Sequence, residues 1–142
     1  MIHYFVVILA GTCIIFSSCD FNCMNDADIE VSDLLIYHFE NRDISYCEIL
    51  DGALKKDPVL LDSFLNLVVQ DGAGYDHASV LIELIEFLGE DYVLEFTKGY
   101  TQAEINMIKS YLEVGFELDQ RYANQSLENL LPRINNEWFP PY

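Results

Sequence analysis

The apolar residues of this chain recur at helical spacing from about residue 33 to the C-terminal end. Residues three or four positions apart on a helix share one face, so this spacing lets each segment bury a stripe of apolar side chains. No segment shows the alternation of apolar and polar residues that is typical of a half-buried strand. We therefore predict an all-α fold, either a small antiparallel helical bundle or a short solenoid of helix pairs, with about six helices.

Helix start and stop signals divide this part of the chain. Ser32-Asp33 can cap a short first helix, and Asp43 or Ser45 can start a second. Asp57-Pro58 places an N-cap acid before a proline at the first helical position, and the apolar residues up to Val69 predict that this third helix is central and most buried. We predict that this third helix ends at Asp71-Gly72-Ala73-Gly74 and that a fourth runs from Asp76 to Gly89. A short fifth helix is predicted from Glu90 to about Lys98, ending at Gly99, and a long sixth from the capping box Thr101–Glu104 to about Tyr122. Ser126 to Leu131 is predicted to form a last turn or two of helix.

The N-terminal 18 residues contain no Asp, Glu, Lys or Arg. Ile2 to Phe16 is nearly continuous apolar sequence, shorter than the roughly 20 residues of a membrane span but suited to the apolar region of a signal peptide. An uncleaved anchor, an ordinary secretion signal and a buried N-terminal helix are the alternatives.

The sequence Phe16-Ser17-Ser18-Cys19 resembles the lipobox of bacterial lipoproteins, in which small residues precede an invariant cysteine. The resemblance implies cleavage before Cys19, acylation of that cysteine, and attachment to a bilayer of the cell envelope with the domain facing the periplasm or the exterior. The implied organisation is a signal peptide over residues 1–18, a lipidated cysteine with a polar tether over 19–32, and a single helical domain over 33–142.

Cleavage at that position would leave Cys23 and Cys47 as a pair, because Cys13 is removed and Cys19 is lipidated. In an oxidising envelope the pair either forms a disulfide, which would close a loop of about 25 residues and stabilise the fold by on the order of 3 kcal/mol, or remains as two thiols. The chain has no CxxC motif. A calcium loop that starts at Asp26 would lack the turn glycine at its sixth position and the closing glutamate at its twelfth, where Tyr37 stands. We predict no metal and no cofactor.

The chain carries 24 acidic residues against 7 Lys and Arg, a formal net charge of −17. Binding to nucleic-acid phosphates needs a Lys/Arg surface, so we exclude nucleic acid as a partner. His38 and His77 are the only histidines beyond the predicted signal peptide, and neither lies in a motif that would supply a catalytic nucleophile. We predict a non-enzymatic protein; an enzyme that uses paired carboxylates on sugar polymers is the weaker alternative.

Five carboxylates lie close together on and after the predicted fourth helix, and we call them the acidic face: Glu83, Glu86, Glu90, Asp91 and Glu95. The first three are spaced to share one side of a helix, and the helix itself carries no Lys or Arg beside them. The acidic face is either a docking surface for a basic partner or a solvated surface that maintains solubility.

The C-terminal sequence concentrates three aromatic residues, Trp138, Phe139 and Tyr142, within seven positions. Trp138 and Phe139 either fold back to seal one end of the bundle or anchor a partner, as exposed aromatic residues commonly do.

The stretch from Val80 to Phe96, in which an apolar helix leads through an acidic turn to a tyrosine-containing helix, resembles helical immunity proteins of bacterial toxin systems. The resemblance implies an inhibitor that blocks a basic active site with acidic residues. We predict a membrane-tethered protein that neutralises or sequesters a basic protein, such as a toxin or cell-wall hydrolase. The alternative is a structural or assembly lipoprotein that scaffolds an envelope complex through its C-terminal residues and bundle ends.

Overall fold

Helices provide all the regular secondary structure in the residues that the computed structural model describes, which are 23–40, 42–43 and 45–140. The predicted all-α fold is confirmed. The predicted signal peptide and Cys19 lie outside the described residues. Within them there are eight α-helices rather than about six, with 3-10 turns over Thr97–Gly99 and Gln120–Tyr122: α1 (Asp33–Phe39), α2 (Tyr46–Leu54), α3 (Pro58–Leu65), α4 (Asp71–Leu88), α5 (Glu90–Phe96), α6 (Gln102–Leu118), α7 (Leu127–Leu130) and α8 (Pro132–Trp138).

Four of the predicted helix starts are confirmed by hydrogen bonds in the first turn. The side chains of Ser32, Ser45, Asp57 and Thr101 each accept a hydrogen bond from a backbone N–H of the helix that follows. At Thr101 the cap is reciprocal, because the Glu104 carboxylate accepts a bond of 2.6 Å from the Thr101 backbone N–H. Caps of this kind satisfy N–H groups that have no partner within the helix, which is why local sequence locates them well.

The central helix is α4, and the prediction that the third helix is central is wrong. Helix α3 ends at Leu65 and leaves Val59 largely exposed, whereas α4 is 18 residues long and packs against α1, α2, α5 and α6. Residues 71–74, predicted to end a helix, form the first turn of α4 instead. Asp76 therefore lies within this helix and does not cap it.

The boundary between α3 and α4 depends on a contact with a distant part of the chain. The hydroxyl of Tyr111, on α6, accepts a hydrogen bond of 2.9 Å from the Val69 N–H and donates one of 3.0 Å to the Val69 carbonyl. These bonds satisfy both backbone groups of Val69, which lies in the non-helical connection over residues 66–70. A Cβ at Gly74 would lie 2.9 Å from the Val69 carbonyl oxygen, so glycine there lets the connection pack closely against α4.

Helices α4 and α6 run in the same direction, which differs from the antiparallel arrangement predicted for neighbouring helices. His77 packs against Tyr111, and further along α4 Glu83 meets Arg121 in the turn after α6. Residue numbers therefore increase together along the two helices. The short helix α5 lies between them in the sequence, so that α6 packs beside α4 in the parallel direction and not as the second helix of an antiparallel hairpin.

A buried aromatic cluster joins four of the helices around His77 on α4. The hydroxyl of Tyr46 (α2) lies 2.8 Å from Nδ1 of His77. The rings of Phe64 (α3) and Tyr111 (α6) pack against the imidazole with centroids 4.9 Å away. Burial lowers the pKa of His77 to about 3 and raises the pKa of Tyr46, so both side chains are neutral near pH 7.

The segment from residue 23 to residue 32 packs on the domain, although its sequence predicts a polar tether. Ile29 and Val31 are buried. The side chain of Asn25 donates a hydrogen bond to the Ile29 carbonyl and accepts one from the Ile29 N–H, at 2.8 and 3.0 Å. A disulfide joins Cys23 to Cys47 of α2, which is one of the two states left open by the sequence. The folded domain therefore includes residues 23–32, which the sequence assigned to the tether.

We predict that Gly52→Ala destabilises the fold, because α2 and α3 cross closely at this glycine. A Cβ at position 52 would lie 2.7 Å from the Cβ of Leu60, so the crossing must widen. Overpacking of this kind typically costs about 1–3 kcal/mol, which exceeds the gain in helix propensity. Urea unfolding measures the change, and Gly99→Ala is the control because an added Cβ there meets no atom within 4 Å. Equal effects of the two substitutions would contradict the close crossing.

We also predict that His77 makes the fold acid-sensitive. The unfolded chain binds a proton at this residue below about pH 6.5, while the folded chain does so only near pH 3, so stability falls as pH falls through that window. Between pH 6.5 and 5 the wild-type protein should lose about 1–2 kcal/mol that His77→Gln does not lose. Urea unfolding at several pH values gives both slopes. Parallel slopes would show that the buried imidazole does not cause the effect.

Candidate partner-binding surface

The C-terminal part of the chain supplies cations to the acidic face, which the sequence had suggested was uncompensated. Arg121, in the turn after α6, forms ion pairs with Glu83 and with Asp119. Hydrogen bonds from Arg121 lower the pKa of Asp119 to about 2. Burial raises the pKa of Glu83, and the same arginine opposes this rise. One guanidinium thus lies between two carboxylates and leaves a net negative charge.

The other members of the acidic face also have partners within the chain. Glu90 accepts a hydrogen bond of 2.7 Å from the backbone N–H of Ile134, in the first turn of α8. Asp91 pairs with Arg133, and Glu95 pairs with Lys98. Glu86 is the most weakly engaged member, with the Tyr122 hydroxyl 3.5 Å away. Much of the acidic face therefore positions the C-terminal part of this same chain.

The two predicted aromatic anchors do not form an exposed pair. Trp138 lies on α8 and is only 9% exposed, and it belongs to the hydrophobic core. Phe139 is partly buried against that core, and the ammonium of Lys109 lies 4.6 Å from its ring centroid. Of the two alternatives for these aromatic residues, Trp138 follows the one in which the ring packs against the bundle. It is therefore a poor candidate for contact with a partner. The sequence did not predict α8, although Pro132 at its first position is a common helix start.

All seven basic side chains lie within the described residues, and each has a partner there. Four form ion pairs with carboxylates: Lys55, Lys98, Arg121 and Arg133. The other three lie over aromatic rings, at 4.3–4.6 Å from the centroids: Arg42 over Phe39, Lys56 over Tyr92 and Lys109 over Phe139. The chain's own cations are therefore already engaged by its own side chains.

Most of the carboxylates have no such partner. Of the 24 acidic residues, Asp20 lies outside the described residues, and five of the other 23 form the ion pairs with Lys or Arg. This leaves 18 carboxylates without an ion pair in the described part of the chain. They are distributed from the N-terminal segment to α8, so the excess negative charge is a property of most of the surface.

A cleft of about 400 Å³ opens between the N-terminal segment, the start of α4 and the end of α6, and we call it the α4/α6 cleft. Its walls include the carboxylates of Glu30, Asp76 and Asp119 and the guanidinium of Arg121, so its lining has two net negative charges. Within it Ser32 donates a hydrogen bond to Asp76. The remaining lining residues are Tyr75, Ser79, Leu118 and Gln120. The sequence did not indicate this site, because its residues come from three separate segments.

We predict that Arg121→Gln destabilises the fold more than Lys98→Gln does. Arg121 joins the turn after α6 to α4, whereas Lys98 pairs with a residue three positions away on an exposed surface. The expected losses are about 1 kcal/mol for Arg121→Gln and at most about 0.5 kcal/mol for Lys98→Gln. The pKa of Asp119 should also rise toward its ordinary value, so less stability is lost as pH falls toward about 2. Chemical unfolding and NMR titration measure the two effects, and an unchanged Asp119 titration would contradict the assignment.

No group of three or more His, Cys, Asp or Glu side chains among the described residues is arranged to hold a metal ion. None of the described helices combines the length and the apolar character needed to cross a membrane. Comparisons with known protein families, with curated proteins and with solved structures found no match to this chain.

Proposed function

We propose that this protein is a membrane-tethered, non-enzymatic binding protein that neutralises or sequesters a basic protein, such as a toxin or a cell-wall hydrolase. The observation that carries the proposal is that the acidic side chains far outnumber the basic ones and that most of them form no ion pair among the described residues. All seven basic side chains are engaged within the chain, while 18 described carboxylates have no ion-pair partner there. Such a surface offers many carboxylates to another molecule, while its few cations are held by side chains of the same chain.

The size of the charge also supports this proposal. A net charge of magnitude about 2–8 suffices to keep a small domain soluble, and this chain carries −17. A surface of one sign attracts an oppositely charged protein before contact and increases the rate of encounter. An acidic protein can then inhibit a basic enzyme by covering its active site with carboxylates, which is what the resemblance to immunity proteins implies.

The membrane tether is proposed because residues 16–19 resemble a lipobox. An acylated Cys19 would hold the domain close to a bilayer of the cell envelope, where toxins and wall hydrolases act or pass. The alternative role as a scaffold that binds through its C-terminal residues receives less support, because Trp138 is packed in the core.

We expect the protein encoded by the adjacent gene to be basic and toxic to a growing cell, and co-expression of the full chain to restore growth. Binding of the two purified proteins should weaken at least about tenfold when salt rises from 50 to 300 mM, because exposed charges are then screened. The affinity is measured by isothermal titration calorimetry.

A Cys19→Ser variant is the matched control for the tether. It should bind the partner with unchanged affinity in solution but protect cells less well, since residue 19 can no longer be acylated. Absence of rescue by the full chain, or salt-independent binding to an acidic protein, would argue against the proposed function.

A further inference from the structure

The α4/α6 cleft has an apolar side as well as an acidic one. Tyr75 at the start of α4 and Leu118 at the end of α6 line the same cleft, and each is 53% exposed. Exposed aromatic and leucine side chains in one cleft are common in binding surfaces, where they become buried on contact. The cleft thus combines an apolar contact area with a border of carboxylates.

The carboxylates of the cleft indicate which kind of side chain it would take. Glu30 and Asp76 form no ion pair with the chain's Lys and Arg residues, which all have other partners. Asp119 already holds Arg121, and this pair shows how a guanidinium is bound at one edge of the cleft. A second cation entering beside Glu30 and Asp76 would meet net negative charge and, in Tyr75, an aromatic ring suited to cation–π contact.

We propose that the α4/α6 cleft is the docking surface for the basic partner: a Lys or Arg side chain of that partner would lie between Glu30 and Asp76, and a neighbouring apolar side chain would cover Tyr75 and Leu118. The proposal rests on the proposed function and assigns it a place on the molecule. The choice of occupant follows from charge complementarity, since the lining has two net negative charges and the surface around it is acidic.

The first experiment uses a probe of the proposed chemistry, so that it does not depend on knowing the partner. N-acetyl-leucyl-arginine amide is titrated into the full-length protein, ¹⁵N-labelled and held in a mild non-ionic detergent, and NMR shifts are followed. The matched probe carries citrulline in place of arginine, which keeps the shape of the side chain and removes its charge. We expect saturable shifts at Tyr75, Asp76 and Leu118 with the arginine probe and an affinity at least about fivefold weaker with citrulline.

Substitutions then test whether the named residues cause the binding. Glu30→Gln and Tyr75→Ala should each weaken binding of the arginine probe about three- to tenfold, whereas Tyr75→Phe, which keeps the ring, should retain most of it. The controls are Glu128→Gln on α7, which changes the net charge equally, and Phe87→Ala on α4, which removes a ring that is 51% exposed. Both controls should bind like the wild-type protein.

Three results would overturn the cleft assignment. The first is equal affinity for the arginine and the citrulline probe. The second is a set of shifts that do not saturate and are spread over acidic residues of the whole surface. The third is a set of shifts at Tyr75 and Leu118 that depend only on protein concentration, which would show that a second copy of the chain occupies the cleft. If growth rescue and salt-dependent binding persist in the Glu30→Gln/Tyr75→Ala double variant, the cleft assignment fails while the proposed function stands. If the wild-type chain has neither property, the proposed function itself fails.

Discussion

The structure depends on keeping the imidazole of His77 neutral and shielded from water where four helices meet. His77 has no charged partner in the core, so its burial is favourable only while Tyr46 contacts its ring nitrogen and the rings of Phe64 and Tyr111 exclude water. This requirement makes α4 the centre of the domain. It also fixes the separation of α2, α3 and α6, because each contributes one ring to the same cluster.

The contrast between the cap at Thr101 and the connection at Val69 shows how far sequence could predict the fold. The capping box over Thr101 and Glu104 involves residues three positions apart, so its chemistry can be recognised locally. The end of α3 could not be recognised in this way. It depends on Tyr111, which lies 42 residues from Val69 and satisfies the backbone where the apolar pattern alone would extend the helix.

Prediction of the candidate partner-binding surface from the sequence was limited in the same way, to contacts between residues close together in the chain. Periodicity placed Glu83 and Glu86 on one helix correctly, but Glu90 lies beyond Gly89 and is the first residue of α5, so the three acids do not share one helix. It could not show that Arg121 pairs with Glu83 on α4, or that the first turn of α8 hydrogen-bonds to Glu90 on α5. The α4/α6 cleft was also beyond prediction, since Glu30, Tyr75 and Leu118 become neighbours only after α4 and α6 pack side by side.

The internal use of all seven cations has a consequence for how copies of this protein behave toward one another. Two surfaces that both carry excess negative charge repel at distances up to about the Debye length, roughly 8 Å at physiological ionic strength. Each copy has only seven Lys and Arg residues to offset that repulsion, and four of them already pair with carboxylates of their own chain. If the domain is tethered as proposed, copies that approach one another closely on a bilayer would therefore repel.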